Sequence, residues 1–340
     1  MKNILFITMA LTVAVYSFGA TKRIARVDVD GDIIFDRDAG FSPDVLEVEI
    51  SEVDGYIYVS TDYSGGFGRF DENGYYDTGF DLQDMHSTYG FDVNHINRLW
   101  ITGNEVIGDY GLYEYTSDGD YMNGIEDFNP NDTVYEDEYD EVWAIAANVI
   151  QEGVHKFTDS GSRLFYKPGY LPYASLAADV PSGAAWFQNL SGGIRELVKM
   201  RSNGDEEFRL RNFEFPRDPQ TCSLDGSCWL FEHYSGDLIK LNSAGAIIFR
   251  DSSFSDIAAI DVNESDGSVW VASNVPKRLV RLDKDGNRQL YKEWPGGDFA
   301  HLAVDQRNGT CIVVYEEYRS GAGVNIQPAS VGEIKAMYAE

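Results

Sequence analysis

One aromatic position recurs along the chain. Trp100, Trp143, Trp186, Trp229 and Trp270 are separated by 43, 43, 43 and 41 residues. One further step back lands on Tyr58, inside Gly55-Tyr-Ile-Tyr-Val-Ser, and one further step forward lands on Ile312, inside Gly309-Thr-Cys-Ile-Val-Val. That makes seven equivalent positions. Turn glycines keep the same period: Gly31, Gly74, Gly119, Gly161, Gly204, Gly245 and Gly286. Several close an Asp-Gly or Asn-Gly pair, a hairpin signal because both central residues of a type I′ turn need positive φ. A unit of this length cannot bury its own apolar face and must stack on its neighbours.

Residues 257–292 show the unit most clearly. Ile257-Ala-Ala-Ile-Asp-Val reads as a first strand, Ser268-Val-Trp-Val-Ala as a second, Arg278-Leu-Val-Arg-Leu-Asp as a third and Arg288-Gln-Leu-Tyr as a fourth. Asp266-Gly267 and Asp285-Gly286 turn the chain between them. Four short strands per repeat are one blade of a β-propeller. Continuous apolar runs such as Cys311-Ile-Val-Val fit strands buried on both faces.

The chain ends have complementary phases. Arg23–Gly31 matches Arg278–Gly286, a third strand and its turn, and Asp32-Ile-Ile-Phe supplies a fourth strand. The last repeat, His301-Leu-Ala-Val-Asp then Thr310-Cys-Ile-Val-Val, supplies only strands one and two. The expectation is an all-β, seven-bladed propeller over residues 21–316, closed by N-terminal outer strands pairing with C-terminal inner ones. Closure removes exposed sheet edges. The rival is six blades plus a separate hairpin.

The pattern resembles NHL-type propellers and the related SMP-30-like and streptogramin-lyase-like groups. The carrying residues are Asp54-Gly-Tyr-Ile-Tyr-Val-Ser-Thr-Asp with Gly68-Arg-Phe-Asp-Glu-Asn-Gly, and Asp266-Gly-Ser-Val-Trp-Val-Ala-Ser-Asn with Leu279-Val-Arg-Leu-Asp-Lys-Asp-Gly. The resemblance implies a propeller. It implies no single activity, since these groups include interaction scaffolds, lactonases and lyase-like proteins.

Residues 1–20 read as a signal peptide: Lys2, an apolar stretch Ile4–Val15, and small residues in Ser17-Phe-Gly-Ala. The expectation is an exported bacterial protein, periplasmic or extracellular, with no integral membrane span. The tail, 317–340, contains a strand-like Gly332-Glu-Ile-Lys-Ala-Met-Tyr that would add an outer strand or none.

Charge narrows the partners. The chain has 56 acids against 27 bases, a net charge of −29. Residues 21–150 hold 30 acids and 6 bases, so most of the excess lies in the early repeats. Nucleic acid is excluded as a partner, because its affinity comes from cations that neutralise phosphate. A protein or a small polar ligand remains, bound by a monomer. The run Glu126–Glu141 places eight acids in 16 residues and reads as a solvated loop or a seat for a cation or basic partner.

Local catalytic motifs are missing: no HExxH, CxxC or GxSxG occurs. The Asp-rich turns Asp28-Val-Asp-Gly-Asp and Asp283-Lys-Asp-Gly-Asn lack a twelfth-position Glu and read as hairpin turns rather than calcium loops. His95 and His155 read as structural or exposed. Cys228 and Cys311 read as buried small hydrophobes; Cys222 and Cys228 flank a turn, so a disulfide and two free thiols both remain open.

One constellation remains. Four residues past the tryptophan phase, where strand two ends, stand Asp62, Asn104, Ala147, Leu190, His233, Asn274 and Glu316. Asn189 and Glu232 lie one residue earlier, and His301 enters a first strand. These groups would converge at one channel mouth. Asp62, Asn104, Asn189, Glu232, His233, Asn274 and Glu316 are the candidate ligand-binding residues. Asp62, Asn104, Glu232, Asn274 and Glu316 are the candidate ligands for calcium or another divalent cation. The favoured reading is a non-enzymatic binding module. The alternatives are a metal-dependent hydrolase or lyase with His233 or His301 as acid/base, and a structural envelope or matrix protein.

Overall fold

The computed structural model describes residues 21–317 except 41–44, 62–65, 82–84, 106–109, 127–131, 137–139, 147–150 and 180. The leader, residues 318–340, Asp62 and much of the Glu126–Glu141 run lie outside the described residues. The rest forms seven four-stranded antiparallel sheets. Blades one to six span 45–81, 85–126, 132–168, 172–210, 216–251 and 256–293, each running from its innermost to its outermost strand. Blade seven joins the two halves of the chain. Its order outward is Phe299–Val304, Cys311–Glu317, Thr21–Val27 and Ile33–Asp38.

The closing register runs from Thr21 opposite Glu317 to Val27 opposite Cys311. First strands of successive blades touch all the way round, blade seven meeting blade one. The chain is therefore a seven-bladed β-propeller, and residues 21–38 complete a blade rather than forming a separate hairpin. Among the described residues no helix is long and apolar enough to cross a membrane.

The repeating tryptophans explain the stacking. All five are fully buried, each in a cluster shared by adjacent blades. Each pairs with one strand-three residue: Lys156, Lys199, Lys240 and Arg281 face Trp143, Trp186, Trp229 and Trp270. Arg26 and Arg69 hold the same place opposite Ile312 and Tyr58. The three ammonium groups sit 4.8, 5.1 and 5.2 Å from their indole centroids.

Stacking on a ring contributes about 2 kcal/mol to a desolvated cation, less than the several kcal/mol that burying an ion costs. The acids make up the difference. Lys156 pairs with Glu141, Lys199 with Asp179 at 2.9 Å, and Arg26 with Asp305 at 2.7 Å. Arg26, Arg69, Lys156, Lys199 and Lys240 also donate to backbone carbonyls of the following blade. Blade two inverts the pattern: Glu114 faces Trp100 and pairs with Arg98 at 2.7 Å.

The turn glycine five residues beyond that position completes the seam. At Gly286, φ is +85°, and an added Cβ would lie 2.3 Å from the Phe249 ring of the preceding blade. The Asp side chains of these turns serve the turns themselves: Asp28 accepts from the Asp30 and Asp32 N–H groups, and Asp283 from those of Asp285 and Asn287.

The cysteines are buried and free. Thr221 lies opposite Cys228 and Cys222 opposite Ser227. Cys222 packs with Trp229 and Ile260, whereas Cys228 packs with Trp186 and Leu230. Neighbouring strand residues point to opposite faces, so these thiols face different blade seams and form no disulfide. Burial pushes all three thiols up.

Candidate functional site: a carboxylate-lined central channel

First strands of six blades line a central cavity of about 450 Å³ among the described residues. Its charged lining is one-sided. Glu47, Glu49, Glu52, Asp92, Asp218, Asp261 and Glu264 face it, against Arg217 and His301. Several derive from the tryptophan register: Glu49 lies opposite Tyr58, Asp92 opposite Trp100, and Asp261 opposite Trp270. Blades four, five and seven place Ala177, Gln220 and Ala303 at that level. Four of the acids thus come from blades one and two, the acid-rich part of the sequence.

A first strand has one edge paired with strand two and one edge free. Its free N–H groups need acceptors. The carboxylates supply them across blade boundaries. Glu47 accepts from Phe91 N–H at 2.7 Å, Asp218 from Ile260 N–H at 3.2 Å, and Asp261 from Val304 N–H at 2.7 Å. Asp261 also accepts from Val262 N–H.

These acids touch channel solvent yet have protein around them on nearly every side, so their charge is poorly hydrated. Burial raises Asp261 to about 8 against its two backbone donors, and Asp218 adds a smaller repulsion. Burial raises Asp218 to about 6, opposed by Ile260 N–H, Gln220 and Arg217. Glu49 lies well above the usual carboxylate range, first through burial and then through Asp92, Glu47, Asp261 and Asp218. Burial lowers His301 to about 4, so it is neutral at pH 7. The channel therefore stores negative charge that is held partly protonated.

Of the residues expected from the sequence, the described ones lie outside this lining, His301 excepted. Asn189 is buried, accepts from Leu171 N–H at 2.8 Å and donates to Glu196 at 3.0 Å. Glu232 accepts from Glu214 N–H at 3.1 Å and from Phe215 N–H at 3.4 Å. Asn274 accepts from Phe299 N–H at 2.7 Å, and Glu316 from Lys22 Nζ at 2.6 Å. Three of these four staple the end of a second strand to the chain leading into a first strand. Asn104 is half-buried, and its buried Oδ1 has no partner among the described residues. His233 is exposed beside Phe215.

Among the described residues no three His, Cys, Asp or Glu side chains are grouped to hold a metal ion. The channel acids were not singled out from the sequence. Their signal was there: Glu49, Asp92 and Asp261 interrupt apolar first strands nine residues ahead of Tyr58 and Trp270, and eight ahead of Trp100.

No protein-family model matches the chain, and no curated protein does. Solved structures do. The β-propeller domain of Myceliophteria thermophila Cps50 (Swd1) aligns with a TM-score of 0.62 at 7% identity, over 80% of this chain and 97% of that one. A chain of Kuenenia stuttgartiensis hydrazine synthase aligns with a TM-score of 0.64 at 10% identity, over 83% and 98%. At such identities the likeness shows the fold alone.

Proposed function

We propose that the protein is an exported, non-enzymatic binding module that seats a cationic group, an alkylammonium of a small ligand or of a partner protein, in its central channel. One observation carries this reading: among the described residues, seven carboxylates line a cavity of about 450 Å³ against one guanidinium. A concave site with convergent polar groups and perturbed acids is where ligand recognition concentrates. A cation entering it would relieve the mutual repulsion of Glu49, Asp92 and Asp261 and let the protonated acids ionise. The leader-like residues 1–20 support export, and the resemblance to NHL-type propellers supports a scaffold role. Two of the residues first considered for a metal, Glu232 and Asn274, hold backbone N–H groups, and Glu316 pairs with Lys22, which favours binding over metal-dependent catalysis.

Calorimetric titration with spermidine at pH 7.5, in two buffers of different ionisation enthalpy, tests this. The reading predicts binding with proton release, weakened by salt and by Glu49→Gln. Calcium chloride is the second arm. Calcium binding without spermidine binding would replace this reading with the divalent-cation one. No heat and no shift in melting temperature with either cation would overturn both.

A further inference from the structure

We propose that Arg195, Arg217, His233 and Tyr234 form a second site, for an organic carboxylate, at the seam between blades four and five. Arg195 is the second residue of blade four's third strand, Ile194–Met200. Arg217 lies in the first strand of blade five, Pro216–Cys222. His233 and Tyr234 follow that blade's second strand, Ser227–Glu232. All four meet around one buried ring, Phe215.

The Arg195 guanidinium carbon is 3.3 Å from the Phe215 centroid, and that of Arg217 is 4.6 Å away. The His233 ring stands edge-on to Phe215 at 5.3 Å. Tyr234 lies 5.7 Å from it and is 64% exposed.

This chain has about two acids for every base, yet neither guanidinium forms an ion pair among the described residues. Arg195 makes one long hydrogen bond, to the Tyr234 hydroxyl at 3.4 Å. Arg217 Nε is buried without a partner. The acid next to Arg217 in sequence, Asp218, is occupied with Ile260 N–H and Gln220. Asp256 is the acid whose field reaches His233, and Glu214 N–H is bound to Glu232.

Stacking holds a guanidinium plane without using its N–H groups, which then point outward at its edge. That fork matches a carboxylate. Two such forks around one ring, neither in an ion pair among the described residues, are a seat for an anion. The exposed Tyr234 ring beside them offers a flat apolar face for the body of the ligand. The inference stands apart from the cationic channel reading, although Arg217 belongs to both walls.

Galacturonate is the probe, with galactose as the uncharged control and inorganic phosphate as a second anion. The expected result is calorimetric binding of galacturonate and not of galactose, weakened about tenfold or more by Arg195→Gln or Arg217→Gln. The imidazole of His233 supplies a readout that needs no variant. Burial, then Arg217 and Arg195, hold its pKa below the ordinary value. An anion between them should raise it in an NMR titration with galacturonate and leave it unmoved with galactose. Phosphate binding as tightly as galacturonate would overturn the carboxylate assignment in favour of a general oxyanion site. No rise at His233, or equal binding of galactose, would overturn the site itself.

Discussion

Two layers of this ring treat buried charge in opposite ways. Between the blades, each buried ammonium has an indole at about 5 Å and an acid as partner, and donates to a carbonyl of the next blade. In the channel, carboxylates have backbone N–H donors and one another. The first layer pairs its cations with acids and repeats with the blades. The second is uneven around the ring and frustrated in charge. Paired charge is what a structural seam requires, whereas crowded like charge is what a cationic ligand can stabilise. The difference separates what builds the propeller from what it presents.

The seam should be the costlier layer to break. Trp229→Ala removes a fully buried indole from the seam between blades five and six, and should lower unfolding free energy by about 3–5 kcal/mol in urea titrations. Lys199→Met leaves Asp179 buried without its cation and should cost about 3 kcal/mol. Asp179→Asn in the same chain should recover part of that loss, because the uncompensated charge is gone. A loss as large in the double variant would show that packing, not charge, holds the seam.

Glycines sharpen the same contrast. Gly286→Ala combines a left-handed φ with the Phe249 ring and should cost about 2 kcal/mol or more. Gly40 also has positive φ, +70°, but no described atom within 4 Å of an added Cβ, so Gly40→Ala should cost about 1 kcal/mol. Equal costs would mean that the seam does not close on the turn.

The channel predicts a pH dependence of definite sign. Asp218 and Asp261 have native pKa values near 6 and 8, above the ordinary carboxylate value. Between about pH 4 and 8 the unfolded chain releases these protons and the native chain keeps them. Their contribution to stability therefore falls with rising pH across that window and levels off above it. Melting temperature should decline from pH 5 to 8, and spermidine should flatten the decline. A melting temperature that rises over this window would contradict the raised values.

The ring was legible in the sequence because its causes are periodic. The indoles, the turn glycines and the complementary ends each follow from burial between identical units. The cations at Arg26, Arg69, Lys156, Lys199, Lys240 and Arg281 share that period and stand five residues before six of the seven turn glycines. They were equally readable but hidden by the acid excess. The channel was less legible. A strand's inner edge is known only when the neighbouring blade is in place, so Asp261 gives no local sign of accepting from Val304 N–H. Polar strand ends such as Asn189 and Glu232 looked like ligand groups because loop-holding and ligand-binding use the same residue types. The pairing of Arg195 with Arg217 spans two blades and has no sequence signature at all.

The central claim is that the channel holds carboxylates protonated in the neutral range until a cation arrives. The direct measurement is a ¹³C NMR titration of the Asp261 side-chain carboxyl, with and without spermidine. The account predicts a midpoint near pH 8 in the free protein and a clear fall when spermidine binds. A midpoint near 4, or one that spermidine leaves unchanged, would contradict it.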